Sequence, residues 1–236
     1  MKTYAPHAAA SAFLGLLAAA AWAAEPKPIT EVDTAALTQE TQQTRDDGRL
    51  DLIWYLPVEF WSASLRQDPN VPAPQAELII ETLEPFFMVG VVQADVSPFG
   101  AFDYYRRAEV GKQLDVFFVD GAGKETALPV VDNPGPDVEM LLTQVTPVLT
   151  AAMGALGQNF HFFVFRDRDA EGKRIVSPYD LGELRIGTAG RDGAAPNAFG
   201  FSLPLDTLHI PRVCPNGEPA HVSWNFCPWT GAKLPE

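Results

Sequence analysis

The chain has 236 residues, a formal net charge of −13, two cysteines and four histidines. Its acid is dispersed rather than clustered and no basic block offsets it. That balance argues against nucleic acid and against anionic membrane surfaces as partners.

The first residues read as a secretory signal in three parts. Lys2 supplies a short positive region, an alanine-rich run follows from Ala8 to Ala21, and Ala21-Trp22-Ala23-Ala24 offers small residues for cleavage after Ala23 or Ala24. A membrane anchor would need roughly 20 residues of stronger hydrophobicity than alanine provides. Residues 1–24 are therefore expected to be removed, leaving a protein without a membrane span that works in the periplasm or outside the cell. Two cysteines in an exported protein suggest one disulfide, between Cys214 and Cys227.

Residues 25–49 are polar and are expected to form a flexible lead with helical potential around 33–45. The globular part is expected from Leu50, as a single α+β domain over 50–208, with a small C-terminal appendage over 209–236. Leu52-Ile53-Trp54-Tyr55-Leu56 is a dense apolar run, and Pro57 at a first helical position starts a short helix through Leu65. A second helix spans 75–84, with Leu78, Ile79 and Leu83 on one face and Pro85 as its stop. Phe86 to Val92 reads as a buried strand, and a further strand is expected around 99–105.

Leu114 to Val119, the turn Asp120-Gly121-Ala122-Gly123, and Thr126 to Val131 have the signature of a β-hairpin. The clearest helix follows, with Val138, Leu141, Leu142, Val145, Leu149 and Leu156 at helical spacing, a bend expected at Pro147 and a stop at Gly157. Strands resume over 160–165, 184–186 and 199–205. The sum is α+β, a largely antiparallel sheet with hairpins and a few packed helices.

Motifs that carry chemistry are sparse. There is no Gly-x-Ser-x-Gly elbow and no phosphate loop. Beyond the signal only His161, His209 and His221 could serve as catalytic bases, and His161 shares a strand face with Phe163 and Phe165, as a packed residue would. Asp167 to Gly172 imitates the start of a calcium loop, but Pro178 stands where the bidentate carboxylate belongs, so a polar hairpin turn is expected. Tyr104-Tyr105-Arg106-Arg107 has the composition of a contact surface. More commonly such arginines snorkel along a strand edge. The carboxylates Glu81 and Glu84 fall on the solvent side of their helix.

One resemblance stands out. Val213-Cys214-Pro215-Asn216-Gly217 and Phe226-Cys227-Pro228-Trp229-Thr230-Gly231-Ala232-Lys233-Leu234 resemble the two knuckles of a rubredoxin-type zinc ribbon, over residues 213–234 only. In that family each knuckle reads Cys-Pro-x-Cys-Gly; here Gly217 and Thr230 replace the second cysteines. The resemblance implies two thiols facing a common centre, which an oxidising compartment would close into a Cys214–Cys227 disulfide. Zinc held by His209, Cys214, His221 and Cys227 is the alternative, and otherwise no cofactor is expected. The functional expectation is a non-enzymatic envelope or extracellular module that binds a protein or small-molecule ligand. The alternatives are a hydrolase-like enzyme with a dispersed histidine site, and a zinc-binding tail.

Overall fold

The computed structural model describes residues 25–46 and 48–234. The secretory segment expected over residues 1–24 lies outside them. The fold is α+β, and its strands pair antiparallel throughout.

One sheet is built from β1 (Gln42–Asp46), β2 (Arg49–Leu56) and β3 (Phe86–Val96) in that order. The far edge of β3 is shared by two strands, β4 (Phe102–Tyr104) against Ala94 to Val96 and β7 (His161–Arg166) against Phe86 to Val91. The second sheet has the order β6 (Glu125–Ala127), β5 (Leu114–Asp120), β8 (Gly182–Thr188) and β9 (Asn197–Leu203). The helices are α1 (Thr34–Thr41), α2 (Val58–Gln67), α3 (Ala73–Leu83), α4 (Arg107–Gln113), α5 (Pro136–Met153) and α6 (Ala155–Gln158). A two-stranded ribbon of β10 (Arg212–Val213) and β11 (Pro219–Ala220) belongs to the tail.

The period-2 geometry of a strand sends successive side chains to opposite faces, and here both faces of the first sheet are covered. Ile53, Tyr55, Phe87, Val89, Phe163 and Phe165 join one apolar cluster with Val116, Phe118, Ile186, Phe199 and Phe201 of the second sheet. Their neighbours Leu52, Leu56, Met88, Val92, Phe162 and Val164 pack with Leu83 of α3 and with Val138, Leu141 and Val145 of α5. The layers are sheet, sheet and helices. Coverage on both sides explains why 52–56, 86–92 and 160–165 are continuous apolar runs rather than alternating ones. The Cβ of an alanine at position 90 would overlap the Phe160 ring, so this glycine lets the helical layer close onto β3.

Two expectations are corrected. The polar lead of residues 25–49 is part of the domain. Asp33 caps α1, its carboxylate accepting from Ala35 N at 2.9 Å and Ala36 N at 3.1 Å, while Val32 and Leu37 are fully buried in the core. The next residues pair with β2 as an edge strand. Main-chain hydrogen bonds supply that pairing, so few apolar side chains are needed, and polar residues suit an exposed edge. The long helix also stops earlier than Gly157. Gly154, with φ +58°, ends α5 after Met153, and Leu156 belongs to the separate turn α6. Only a residue tolerant of positive φ makes that break cheaply.

A buried carboxylate pins the two sheets together at one end. Asp51 on β2 is completely inaccessible. It accepts from Arg49 Nε at 2.9 Å, Gln93 Nε2 at 2.8 Å and Asn197 Nδ2 at 2.6 Å. Arg49 reaches on to the carbonyls of Thr188 and Ala195, each at 3.3 Å. Residues of β2 and β3 thus meet a residue of β9 at one anion, and Arg49 ties in β8 through the Thr188 carbonyl. Removing one partner of a buried pair strands the other. Asp51→Ala should therefore cost about 3–5 kcal/mol in urea denaturation. The double replacement Arg49→Met/Asp51→Leu should cost clearly less, because no charge is left buried.

Candidate functional site

The C-terminal segment is built on two tight turns. Cys214 N donates to Glu218 O at 2.8 Å and Gly217 N to Cys214 O at 2.9 Å; Cys227 N donates to Ala232 O and Gly231 N to Cys227 O, both at 2.8 Å. Gly217 and Gly231 take left-handed φ values of +88° and +69° that these turns require. Cys214 and Cys227 form a disulfide with a Cα–Cα separation of 5.6 Å, inside the range a bridged pair allows. With Ala220 and Leu234 the half-cystines form a small core of their own. The segment's large rings stay outside it: Trp224, Phe226 and Trp229 are exposed, and the two indoles meet edge-on at 5.8 Å.

The histidines do not converge on that core. His209 is buried, its Nδ1 lies 2.9 Å from Leu205 O, and its ring stands edge-on to Tyr179. His221 is partly exposed, with Nδ1 2.8 Å from Ser223 Oγ and accepting from Ser223 N at 3.2 Å. Among the described residues no group of three histidine, cysteine, aspartate or glutamate side chains is arranged to hold a metal ion. In the oxidised chain the sulfurs are bonded to each other and offer no thiolate. Zinc ligation by His209, Cys214, His221 and Cys227 would first require reduction.

The calcium-like stretch is committed to the protein's own groups. Asp167 is fully buried; it accepts from Arg174 Nε at 2.6 Å and Val176 N at 2.7 Å. The other side of Arg174 binds Glu59 through both carboxylate oxygens. Burial disfavours the guanidinium, but Glu59 and Asp167 outweigh it and hold its pKa above the usual value. Asp169 closes the hairpin by accepting from Glu171 N and Lys173 N. Glu84 lies on the surface and pairs with Arg168 at 2.6 Å.

A cleft of about 460 Å³ opens between α5, α6 and the edge strand β7, a volume in the range of small-ligand sites. Its apolar wall includes Leu142, Phe160, Phe162 and Val164; its polar groups come from Arg107, Asp132, Glu139, Thr143, Thr146, Gln158 and His161. Strand β7 places His161 half-buried at one end, with Nε2 3.0 Å from Tyr105 O. A carbonyl only accepts, so Nε2 carries the proton and Nδ1 is left as a lone pair. Burial pushes the His161 pKa below its ordinary 6.5, and Arg107 adds to that, while the bond to Tyr105 works against them. Arg107 lies over the Phe163 ring at 4.9 Å and donates to Phe162 O at 3.3 Å.

Of these groups, the sequence drew attention to His161 and, through the Tyr104–Arg107 run, to Arg107. It passed over Glu139, Thr143 and Thr146. Their spacing of four and three residues sets them on one face of α5, beside its apolar stripe, and that polar stripe was the available signal. No protein-family model, no curated protein and no solved structure matches the chain.

Two outcomes follow. His161 binds its proton less tightly in the folded chain than in the unfolded one. Its contribution is thus intact above pH 6.5 and is lost as pH falls below that value toward the folded pKa. Urea titrations from pH 7.5 to 5 should show wild type losing more stability than His161→Gln. Reducing the disulfide, or replacing both cysteines with serine, should destabilise the tail by about 3 kcal/mol. The reading is earlier proteolysis of residues beyond 209, with the body's near-ultraviolet dichroism retained.

Proposed function

We propose that the chain is an exported protein of the periplasm or extracellular space, and that it binds a small ligand or partner protein rather than transforming a substrate. The observation that carries this reading is the commitment of its histidines. His161 holds the carbonyl of Tyr105, His209 is locked in the core against Leu205 and Tyr179, and His221 engages Ser223 at the surface. The carboxylates with the strongest burial, Asp51 and Asp167, serve as internal pins. Export is supported by the leading segment's composition and by the disulfide, which oxidising compartments maintain. Among the described residues no helix is long and apolar enough to cross a membrane.

The hydrolase alternative rests on one observation, that His161 shares a cleft with Glu139, Thr143 and Thr146. Both hydroxyls, however, donate back along α5, Thr143 to Glu139 O at 2.9 Å and Thr146 to Leu142 O at 3.1 Å, as helical threonines do. A nucleophile needs its proton delivered to a base instead.

The test has two arms. Full-length chain expressed in a Gram-negative host should be recovered from periplasm or medium, with its N-terminus at Ala24 or Glu25 and both thiols resistant to alkylation until reduced. Incubated with chromogenic ester, amide, phosphoester and glycoside substrates, it should show no turnover above a His161→Ala control. Turnover that this substitution abolishes would establish the enzyme instead. Stoichiometric zinc in the purified protein would favour the metal-binding tail.

A further inference from the structure

We infer that the cleft between α5 and β7 is a binding site for an organic amine, a ligand with a protonated amino group on an apolar or aromatic body. The inference rests on the binding reading above and gives it a location and a chemical class.

The cleft's polar groups differ sharply in what they have left to offer. Thr143 and Thr146 have spent their only hydroxyl protons on the carbonyls of Glu139 and Leu142, so each presents lone pairs alone. His161 has spent its ring proton on Tyr105 O and presents Nδ1. Asp132 and Glu139 are acceptors by nature, and neither takes part in an ion pair among the described residues. Arg107 is the cation of the lining, and its guanidinium is drawn aside onto the Phe163 ring and the Phe162 carbonyl. Gln158, also in the lining, can turn either end of its amide inward. A wall made mostly of acceptors is matched by a ligand rich in donors, and an ammonium group brings three.

The rest of the cleft favours an apolar body. Phe160, Phe162 and Leu142 line it, and the two phenylalanine side chains are otherwise buried. A ring entering there would remove further apolar surface from water, worth about 25 cal/mol per Å². A charge of −13 over the whole chain adds long-range attraction for a cation. A carboxylate-bearing ligand of the same shape would meet Asp132, Glu139 and a row of lone pairs.

Isothermal titration calorimetry of the full processed chain separates these cases with two probes of one shape, tryptamine and indole-3-propionate. Tryptamine should bind at least ten-fold more tightly than indole-3-propionate at low salt. The exposed variants Asp132→Asn and Glu139→Gln should each weaken it roughly two- to five-fold, the scale of a solvent-exposed charge pair. Thr143→Val, which keeps the side chain's shape and removes an acceptor, should weaken it as well. Circular dichroism of each variant confirms that the fold is retained. Equal or tighter binding of indole-3-propionate, no binding of tryptamine at millimolar concentration, or affinities indifferent to all three substitutions would overturn the amine assignment. Those results leave the non-enzymatic reading standing, whereas only turnover in the chromogenic assay removes it.

Discussion

The architecture depends on a carboxylate with no access to water. Asp51 would be prohibitively costly to bury alone, and it is tolerated because Arg49, Gln93 and Asn197 reach it from β2, β3 and β9. Apolar contacts between the sheets are non-directional and would accept some sliding of one sheet over the other. Three charge-assisted hydrogen bonds at one point would not. A second pin lies at Arg174, held between Glu59 on α2 and Asp167 after β7. It fixes the loop that leaves the first sheet for the second. The second pin also anchors the end of β7, whereas α5 is held against the first sheet by the apolar packing of Val138, Leu141, Leu142 and Val145.

Much of the secondary structure could be read directly from the chain. The helix after Pro57, the strand from Phe86, the hairpin turning at Asp120 to Gly123 and the strand from His161 all coincide with apolar patterns bounded by turn residues. Strand β1 was not legible, because Gln42-Gln43-Thr44-Arg45-Asp46 has no apolar alternation. It is a strand only because β2 offers it an edge. The double coverage of the first sheet could be suspected from its apolar runs, but not the division of labour between its faces. That division needs to know that Ile53 looks toward Phe199 and Phe201 while Leu52 looks toward α5.

The candidate site was legible in single residues and not as a set. His161 drew notice as a histidine among phenylalanines, and its depressed basicity follows from that company. The carbonyl that fixes its tautomer belongs to Tyr105, 56 residues earlier, and no local pattern foretells such a pairing. The cysteines illustrate the opposite case. Their chemistry could be argued from expected export and from the ribbon resemblance, and the disulfide joins the two expected positions. What surrounds them could not. His209, near in sequence, is held by Leu205 and Tyr179 of the main core instead of the tail.

The first described residues clasp the chain at the opposite end of its sequence. Lys27 N donates to Leu208 O, Ile210 N donates to Glu25 O, and Pro26 bridges to His209. The expected processing site would lie within two residues of this clasp. A chain made from its N-terminus cannot fasten it until residues 208–210 have been synthesised, so Glu25 and Lys27 must wait for Leu208 and Ile210. That delay puts the closing of the clasp at the end of folding: a chain cut short before Leu208 would leave Lys27 N and Glu25 O without these partners.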